Sequence, residues 1–399
     1  MSERLVLQDI RVVEIASGVA GPMAACRLGD LGATVTKIEW GDGDWTRGSP
    51  PFLADETSAA YFALNRGKRS VRIGDKPDAD PSLVRALVER ADVLITDRRT
   101  EELAAMGLAE VDADVCPWHR ELVVAQISDL GKRGPMTHKN VSEAGAQAMA
   151  GYTRYVGTQG EPAVRLGADV AGCGTAIFTT QAVLAALFAR RTSGEGQRID
   201  LSLLNSLLSM KTVHLAAQSD PDAYEGPRVG GAYDPPERGW KTADAPITFA
   251  FGGAVGAEGR PGWTQFVEAI GLSHMLDDPR YDKTGRLTTG LGPKARELKT
   301  EYEAAFVHHG SKEIVAKVRQ FGGFASAYLT HDELFREPQF DALDIVREVA
   351  AGAARVRTLG FPVKMSATKP VVRGDAPALG QHTREVAAEV GLAPAPRQP

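Results

Sequence analysis

The sequence predicts a doubly wound α/β lobe, then a smaller α+β lobe, with the chain returning to the first. Three observations carry this. Short β-branched apolar runs near the start are separated by helical stretches long enough to serve as parallel crossovers. The chain has 399 residues, beyond the size at which a single core keeps growing. After Ser219 the composition turns to clustered Pro and Gly, which separates the segments on either side.

Taken in order, R-V-V-E-I-A from Arg11 reads as a buried strand, and G-V-A-G-P from Gly18 as a turn opening a helix that runs to Leu31. Pro22 begins that helix without losing a needed N–H. T-V-T-K-I-E from Thr34 is the next strand. A-D-P-S-L-V-R-A-L-V-E-R from Ala79 is helical, A-D-V-L-I-T from Ala91 a strand, and E-L-V-V-A-Q-I from Glu121 another. Ala144 to Met149, Ala176 to Ala189 and Ile199 to Met210 carry helical patterns. From about Thr242, I-T-F-A-F (residues 247–251) reads as a strand, with helices at W-T-Q-F-V-E-A-I from Trp263 and I-V-A-K-V-R from Ile314. V-R-E-V from Val346 and R-T-L-G-F-P-V-K-M from Arg357 read as a strand pair returning to the large lobe. The expected division is 1–218 for the large domain, 219–241 for a linker, 242–328 for the small domain and 329–399 for the return.

Composition excludes several classes. The formal charge is −5 with both signs scattered, and no basic block or basic–aromatic stripe marks a nucleic-acid partner. Cys26, Cys116 and Cys173 lack C-x-x-C spacing, which argues against a disulfide framework or a thiolate metal site and fits a reducing cytosol. The N-terminus is charged and has no apolar signal core. The apolar stretches around Ala182 to Ala189 and Ile199 to Leu208 are too short or too interrupted to span a bilayer, so the expectation is a soluble, cytoplasmic protein with no membrane partner.

Asp169, in R-L-G-A-D-V-A-G-C-G-T-A from Arg165, is the residue with most chemical content. An Asp shortly before an apolar run is often only a helix cap. A carboxylate among small residues is also a candidate nucleophile, and the residues alone leave both readings open. Cys173 fits better as a small buried hydrophobe than as a nucleophile. N-R-G-K-R-S from Asn65 offers Arg66, Lys68 and Arg69, as solvated surface or as phosphate contacts. Open α/β sheets bind ligands beyond the carboxyl ends of their strands, which puts the Ala16 to Met23 turn, the Glu39 region and the Ser128 region on one rim. G-V-A-G-P lacks the third glycine of a dinucleotide fingerprint, which disfavours an NAD-dependent oxidoreductase.

The order of these segments resembles the class III CoA-transferases, the group of formyl-CoA transferase, carnitine CoA-transferase and α-methylacyl-CoA racemase. The resemblance rests on V-V-E-I-A-S-G-V-A-G-P-M-A-A-C-R-L-G-D-L-G-A-T-V-T-K-I-E from Val12, on N-R-G-K-R-S, on A-D-V-L-I, on the Asp169 stretch with L-F-A-R-R-T-S-G-E-G-Q-R-I-D from Leu187, and on A-L-G-Q-H-T-R-E-V after Pro377. Each motif alone is weak. Their order and spacing over nearly the whole length are specific.

The resemblance implies transfer of coenzyme A between an acyl-CoA thioester and a small carboxylic acid, with CoA as substrate and no tightly bound cofactor. It implies that Asp169 attacks the thioester carbonyl, giving an aspartyl anhydride and then an aspartyl–CoA thioester. Gly252 and Gly253, in the glycine-rich run after Phe251, would cover that intermediate, with G-P-R-V-G-G-A from Gly226 as a competitor. Around CoA it implies Val19 and Ala20 at the turn, Lys37, Trp40, Arg47, Asn65, Lys68, Arg69, Asp97, Arg98 and Lys139. It further implies a homodimer of interlocked rings.

The departures bear on substrate. Val19 stands where formyl-CoA transferase has glutamine, Trp40 where arginine or proline is common, and D-R-R-T-E from Asp97 where N-F-x-P-G is usual. They weaken a formyl-CoA and oxalate assignment and leave acyl specificity open. A racemase would carry a histidine where Ser142 or Asn140 stands, with His138 out of register, which favours transfer. A non-catalytic CoA-binding homologue is disfavoured by retention of Asp169. A dicarboxylate acceptor would want an arginine, and Arg165, Arg228 and Arg260 are available.

Overall fold

The computed structural model describes residues 5–137, 139–153, 162–217, 219, 239–251, 261–277, 295–351 and 354–392. The chain divides into two compact units, one of Met1–Arg154, Arg165–Lys211 and Asp341–Pro399, the other of Tyr155–Val164 and Thr212–Phe340. It thus leaves the first unit, builds the second and comes back.

The first unit opens with β1 (Arg11–Ile15), α1 (Ala20–Asp30), β2 (Thr34–Glu39), α2 (Ala59–Asn65), β3 (Arg69–Arg72), α3 (Pro81–Val88), β4 (Val93–Thr96) and α4 (Thr100–Ala105). Next come β5 (Val123–Ser128), α5 (Glu143–Met149), α6 (Val170–Ser193), β6 (Arg198–Ser202) and α7 (Leu203–Ser209). These six strands form one parallel sheet in the order β3-β2-β1-β4-β5-β6. The chain winds one way from β1 and the other way from β4, so the switch point lies between those two strands.

Alternation along each strand feeds two cores. Val13, Ile15, Leu94 and Val124 pack with Leu83, Val84 and Leu87 of α3 on one face. Val12, Val35, Val93, Ile95 and Val123 pack with Ala24 and Leu28 of α1 and Val183 of α6 on the other.

The second unit holds α8 (Thr212–Ala217), β7 (Ile247–Ala250), α9 (Pro261–Ala269), α10 (Ala295–Phe306), α11 (Ser311–Gln320), β8 (Phe324–Ala327) and α12 (His331–Leu334). β7 and β8 pair antiparallel, and Trp240, Phe249, Phe266, Tyr302 and Phe306 form an aromatic core beside them. The edge-on Trp240–Tyr302 pair has ring centroids 5.1 Å apart. After α13 (Pro338–Leu343), the return contains the antiparallel hairpin β9 (Val346–Ala351) and β10 (Ala354–Leu359), and then α14 (Thr383–Glu389).

Two sequence expectations are corrected. Ile199 to Met210 is not one helix. Arg198-Ile-Asp-Leu-Ser alternates polar and apolar and joins β5 as a parallel strand, after which the Ser202 hydroxyl accepts the Asn205 N–H at 3.1 Å and starts α7. The second concerns the apolar stretches. α6 begins at Val170, six residues before the run that the sequence marked, and is long and apolar enough by length and composition to cross a membrane. Half of its most apolar window is buried within the lobe, where the helix packs on α1, α5, α7 and β6.

Beneath the switch point lies a buried ionic network. Glu14 on β1 faces the α1 side, where Lys37 Nζ reaches one of its carboxylate oxygens at 2.6 Å and Lys68 Nζ the other at 2.6 Å. Lys37 also donates to Ala16 O at 2.7 Å and pairs with Asp44 at 2.9 Å. Lys68 also donates to Pro22 O at 2.9 Å and Asn65 Oδ1 at 2.7 Å. Burial alone would lower the Lys37 pKa, but Glu14, Asp44 and Glu39 outweigh it and hold the ammonium above its ordinary range. At Lys68 burial prevails over Glu14, aided by repulsion from Lys37, and the pKa falls.

Removing the shared carboxylate leaves two buried ammonium groups short of a partner. Glu14→Leu is expected to destabilise the protein by about 3–5 kcal/mol, read as a lower urea midpoint by far-ultraviolet circular dichroism. An unchanged midpoint would show that the network carries no stability.

Candidate active site

At the switch point β1 runs into Ala16-Ser17-Gly18 and β4 into Asp97-Arg98. Gly18 has φ +79°, and a Cβ there would sit 3.0 Å from the Trp45 ring, so the turn needs glycine for both its backbone and its close approach. Its N–H donates to the Asp44 carboxylate at 3.1 and 3.3 Å, which ties the turn to Lys37 below. Ser17 N–H donates to Asp97 Oδ2 at 2.9 Å, and Arg98 Nη2 donates to Ser17 Oγ at 2.9 Å. The Arg98 guanidinium lies 5.0 Å from the centre of the Trp40 ring. Burial pushes the Asp97 carboxyl upward, against the opposing pull of Arg98. Beyond the ends of β4 and β5 opens a cavity of about 470 Å³, with Asp97, Arg98, Gln126, Lys132, Lys139 and Asn140 in its wall.

Asp169 occupies the N-cap position of α6, yet its side chain accepts no capping hydrogen bond. That work falls to Glu143 on α5, whose two oxygens accept from Ala171 N–H at 2.8 Å and Gly172 N–H at 2.9 Å. Gln147 holds Glu143 in place by donating at 2.8 Å. Among the described residues, the Asp169 carboxylate pairs with a neighbouring cation, Arg165 Nη2 at 3.0 Å, and its side chain is 46% exposed. The glycines after Asp169 have a packing reason. A Cβ on Gly172 would come within 2.8 Å of the Val19 Cβ, so the start of α6 lies directly against the start of α1 and the rim.

The remaining expected residues divide sharply. Val19 touches Gly172, while Ala20 is buried. Trp40, Asp97, Arg98 and Lys139 gather at or beside the cavity. Lys37, Asn65 and Lys68, expected at CoA, are instead core residues whose polar groups face one another below the rim. The physical reason is Glu14, a carboxylate in a strand interior that needs both ammonium groups near it. Arg47 is held by Glu39 through a two-pronged contact at 2.9 and 2.7 Å and stacks on Tyr61. Arg69 begins β3 and so lies at the far end of the strands from the rim, 2.8 Å from Glu389. Cys173 is half-buried, and burial raises its thiol pKa, helped by Asp169 and Glu143.

Gly252, Gly253, Arg228, Arg260, His138 and the run from Gly226 lie outside the described residues. Ser142, where a racemase would place histidine, caps α5 by accepting from Gly145 N–H, and Asn140 accepts from Arg99. Among the described residues no group of three His, Cys, Asp or Glu side chains is arranged for a metal ion. Sequence reasoning missed Glu143, Ser17 and Gln126. Nothing local marks them, since each takes its role from a segment 28 or more residues away, as in the pairs Glu143–Ala171, Arg98–Ser17 and Gln126–Arg98.

Comparison with known proteins agrees with this geometry. The family model described as CoA-transferase family III matches residues 7–383. A succinyl-CoA:glutarate CoA-transferase of Mus musculus is 30% identical, over 96% of this chain and 86% of that protein. A formyl-CoA:oxalate CoA-transferase of Streptomyces avermitilis is 29% identical, over 97% and 96%. In fold, a crystal structure of a CAIB/BAIF family protein from Brucella suis matches with a TM-score of 0.79 at 23% identity, over 97% of this chain and 99% of that one. A crystal structure of a protein from M. tuberculosis matches with a TM-score of 0.77 at 22% identity, over 96% and 100%.

The two carboxylates at α6 should respond differently to truncation. Glu143→Ala strips two backbone donors of a charged acceptor and is expected to lower stability by about 1.5–3 kcal/mol. Asp169→Ala loses an exposed ion pair to Arg165, four residues earlier in the loop before α6, and should change stability by no more than about 0.5 kcal/mol. Thermal unfolding of both variants checks this, and a larger loss at Asp169 would restore it as the cap.

Proposed function

This chain belongs to CoA-transferase family III, and we propose that it moves CoA from an acyl-CoA thioester to a small carboxylic acid through covalent intermediates on Asp169. One observation supports this above the others. The Asp169 carboxylate stands at the head of α6 without capping work, because Glu143 does that work for it.

In this reading an Asp169 oxygen attacks the thioester carbonyl, the C–S bond breaks, and CoA leaves as thiolate with a mixed anhydride on the enzyme. The thiolate attacks the aspartyl carbonyl and expels the original acid as carboxylate, leaving an aspartyl–CoA thioester. The acceptor carboxylate attacks that carbonyl and again frees the thiolate, which then attacks the acceptor's carbonyl and regenerates Asp169. No redox partner or net proton is consumed. Covalent relay of this kind divides one difficult exchange into easier steps.

The Ala171 and Gly172 N–H groups are occupied by Glu143. We therefore assign oxyanion stabilisation to other donors, the backbone of Gly252 and Gly253. Arg98 and Lys139 take the place at CoA that the motif pattern assigned to Lys68. The pairing of Arg165 with Asp169 suits a carboxylate acceptor, since an exposed ion pair is weak enough to exchange partners. The names of the mouse and Streptomyces relatives, with glutarate and oxalate, support an acid of that class. An interlocked homodimer and a cytoplasmic location complete the proposal.

Asp169→Asn keeps size and polarity but lacks the nucleophile, and is expected to abolish transfer while CoA binding and folding persist. Hydroxylamine trapping of the wild-type protein with acyl-CoA, followed by digestion, should mark the peptide containing Asp169. Substantial transfer by the Asn variant with an unmarked peptide would refute the covalent role. Sedimentation at micromolar concentration is expected to give a dimer, and a monomer there would exclude interlocked rings.

A further inference from the structure

Gln126 sits in the middle of the sheet's functional half, on β5, and is only 4% exposed. Its amide group is fixed by donation from Nε2 to the Arg98 carbonyl at 3.0 Å. That bond orients the side chain and leaves Oε1, which has no hydrogen-bond partner among the described residues. Gln126 lines the cavity of about 470 Å³ beyond the ends of β4 and β5. Beside it in the same wall, Asp97 Oδ1 is taken up by its ion pair with Arg98 Nε, 2.9 Å away.

A buried carbonyl without a donor is costly, so the Gln126 oxygen helps define what fits there. It asks for N–H. Lys139 in the same wall supplies the opposite preference, whereas Arg98 and Lys132 there are each paired with a carboxylate, Asp97 at 2.9 Å and Asp200 at 3.0 Å. A ligand suited to both carries anionic groups and uncharged N–H groups a short distance apart.

We propose that Gln126 is a CoA-binding residue whose Oε1 accepts a hydrogen bond from an uncharged N–H of CoA. The inference rests on the CoA-transferase reading above and adds a contact that no motif of the sequence marks. Two parts of CoA carry such a donor, the pantetheine amides and the adenine amine. The chemistry they share is a neutral N–H, and the halves of the molecule separate them.

Calorimetric titration of the full chain with CoA, with 3′-phospho-ADP and with pantetheine, for wild type and Gln126→Met, tests the contact. The variant preserves volume and removes the acceptor. The expected result is roughly tenfold weaker binding of CoA, with the same ratio for one half-molecule and no change for the other. Equal CoA affinities overturn the inference, and so does an equal loss for both halves, which would mark a general distortion of the pocket. A second measurement needs no variant. Wild type titrated with CoA whose pantetheine amides are esters, or whose purine lacks the amine, is expected to lose about tenfold with one of the two; full affinity for both overturns the proposal. Wild type that does not bind CoA at all would overturn the CoA reading itself, a result distinct from binding that is indifferent to residue 126.

Discussion

The Glu14 carboxylate, shared between Lys37 and Lys68, is the interaction on which the rest of the site depends. It is buried within β1, where an unpaired charge would be very costly. Each ammonium it attracts carries a second task. Lys37 ties Ala16 O and Asp44, and through Asp44 the Gly18 N–H, so the turn after β1 has its shape set from below. Lys68 ties Pro22 O and Asn65, which fixes the start of α1 and the end of α2. A rim held this way presents backbone and side chains in one geometry before any ligand arrives, which is the form of preorganisation that electrostatic catalysis requires.

The head of α6 shows a comparable division of labour. A helix start demands an acceptor for its free N–H groups and favours a negative charge. Were Asp169 to meet that demand, its oxygens would be spent on Ala171 and Gly172. Glu143 reaches over from α5 and takes both donors, so the Asp169 side chain does no capping and stays 46% exposed beside Arg165. The glycine at 172 then lets Val19 and the rim approach to contact distance. Asp169 and the rim are neighbours because of a missing side chain.

Much of this was legible in the sequence, and the failures have a common cause. The β1, β2, β4 and β5 strands, the Gly18 turn and Asp169 at a helix start are all local patterns of period, turn chemistry and capping, which neighbouring residues determine. Asn65 to Ser70 was not legible as a core element. Its basic residues look solvated or phosphate-bound in one dimension, and only the tertiary position of Glu14 draws Lys68 inward. Glu143 was overlooked for the same reason, since an exposed-looking acidic residue at the start of α5 gains its role from a backbone 28 residues away. Ile199 to Met210 failed differently. A short alternating strand with a Ser-capped helix directly after it resembles one apolar helix when only the apolar positions are counted.

Two of the three departures from the resembled family pattern meet in the fold. The sequence places an aromatic, Trp40, where arginine or proline is common after the second strand, and an arginine, Arg98, in the segment where asparagine and phenylalanine are usual. Along the chain, these are unrelated losses of expected contacts. In the fold they face each other, with the guanidinium 5.0 Å from the ring centre, a separation at which a cation and an aromatic face attract by about 0.5–2 kcal/mol. One ring and one cation thus meet beyond the ends of β2 and β4. The guanidinium now comes from the end of β4, where Ser17 Oγ and Asp97 fix it and the Gln126 amide grips its carbonyl. The cavity wall beyond β4 therefore sets a paired guanidinium beside a neutral carbonyl oxygen, with Arg98 held by Asp97 and Ser17 and the Gln126 amide anchored on the Arg98 backbone.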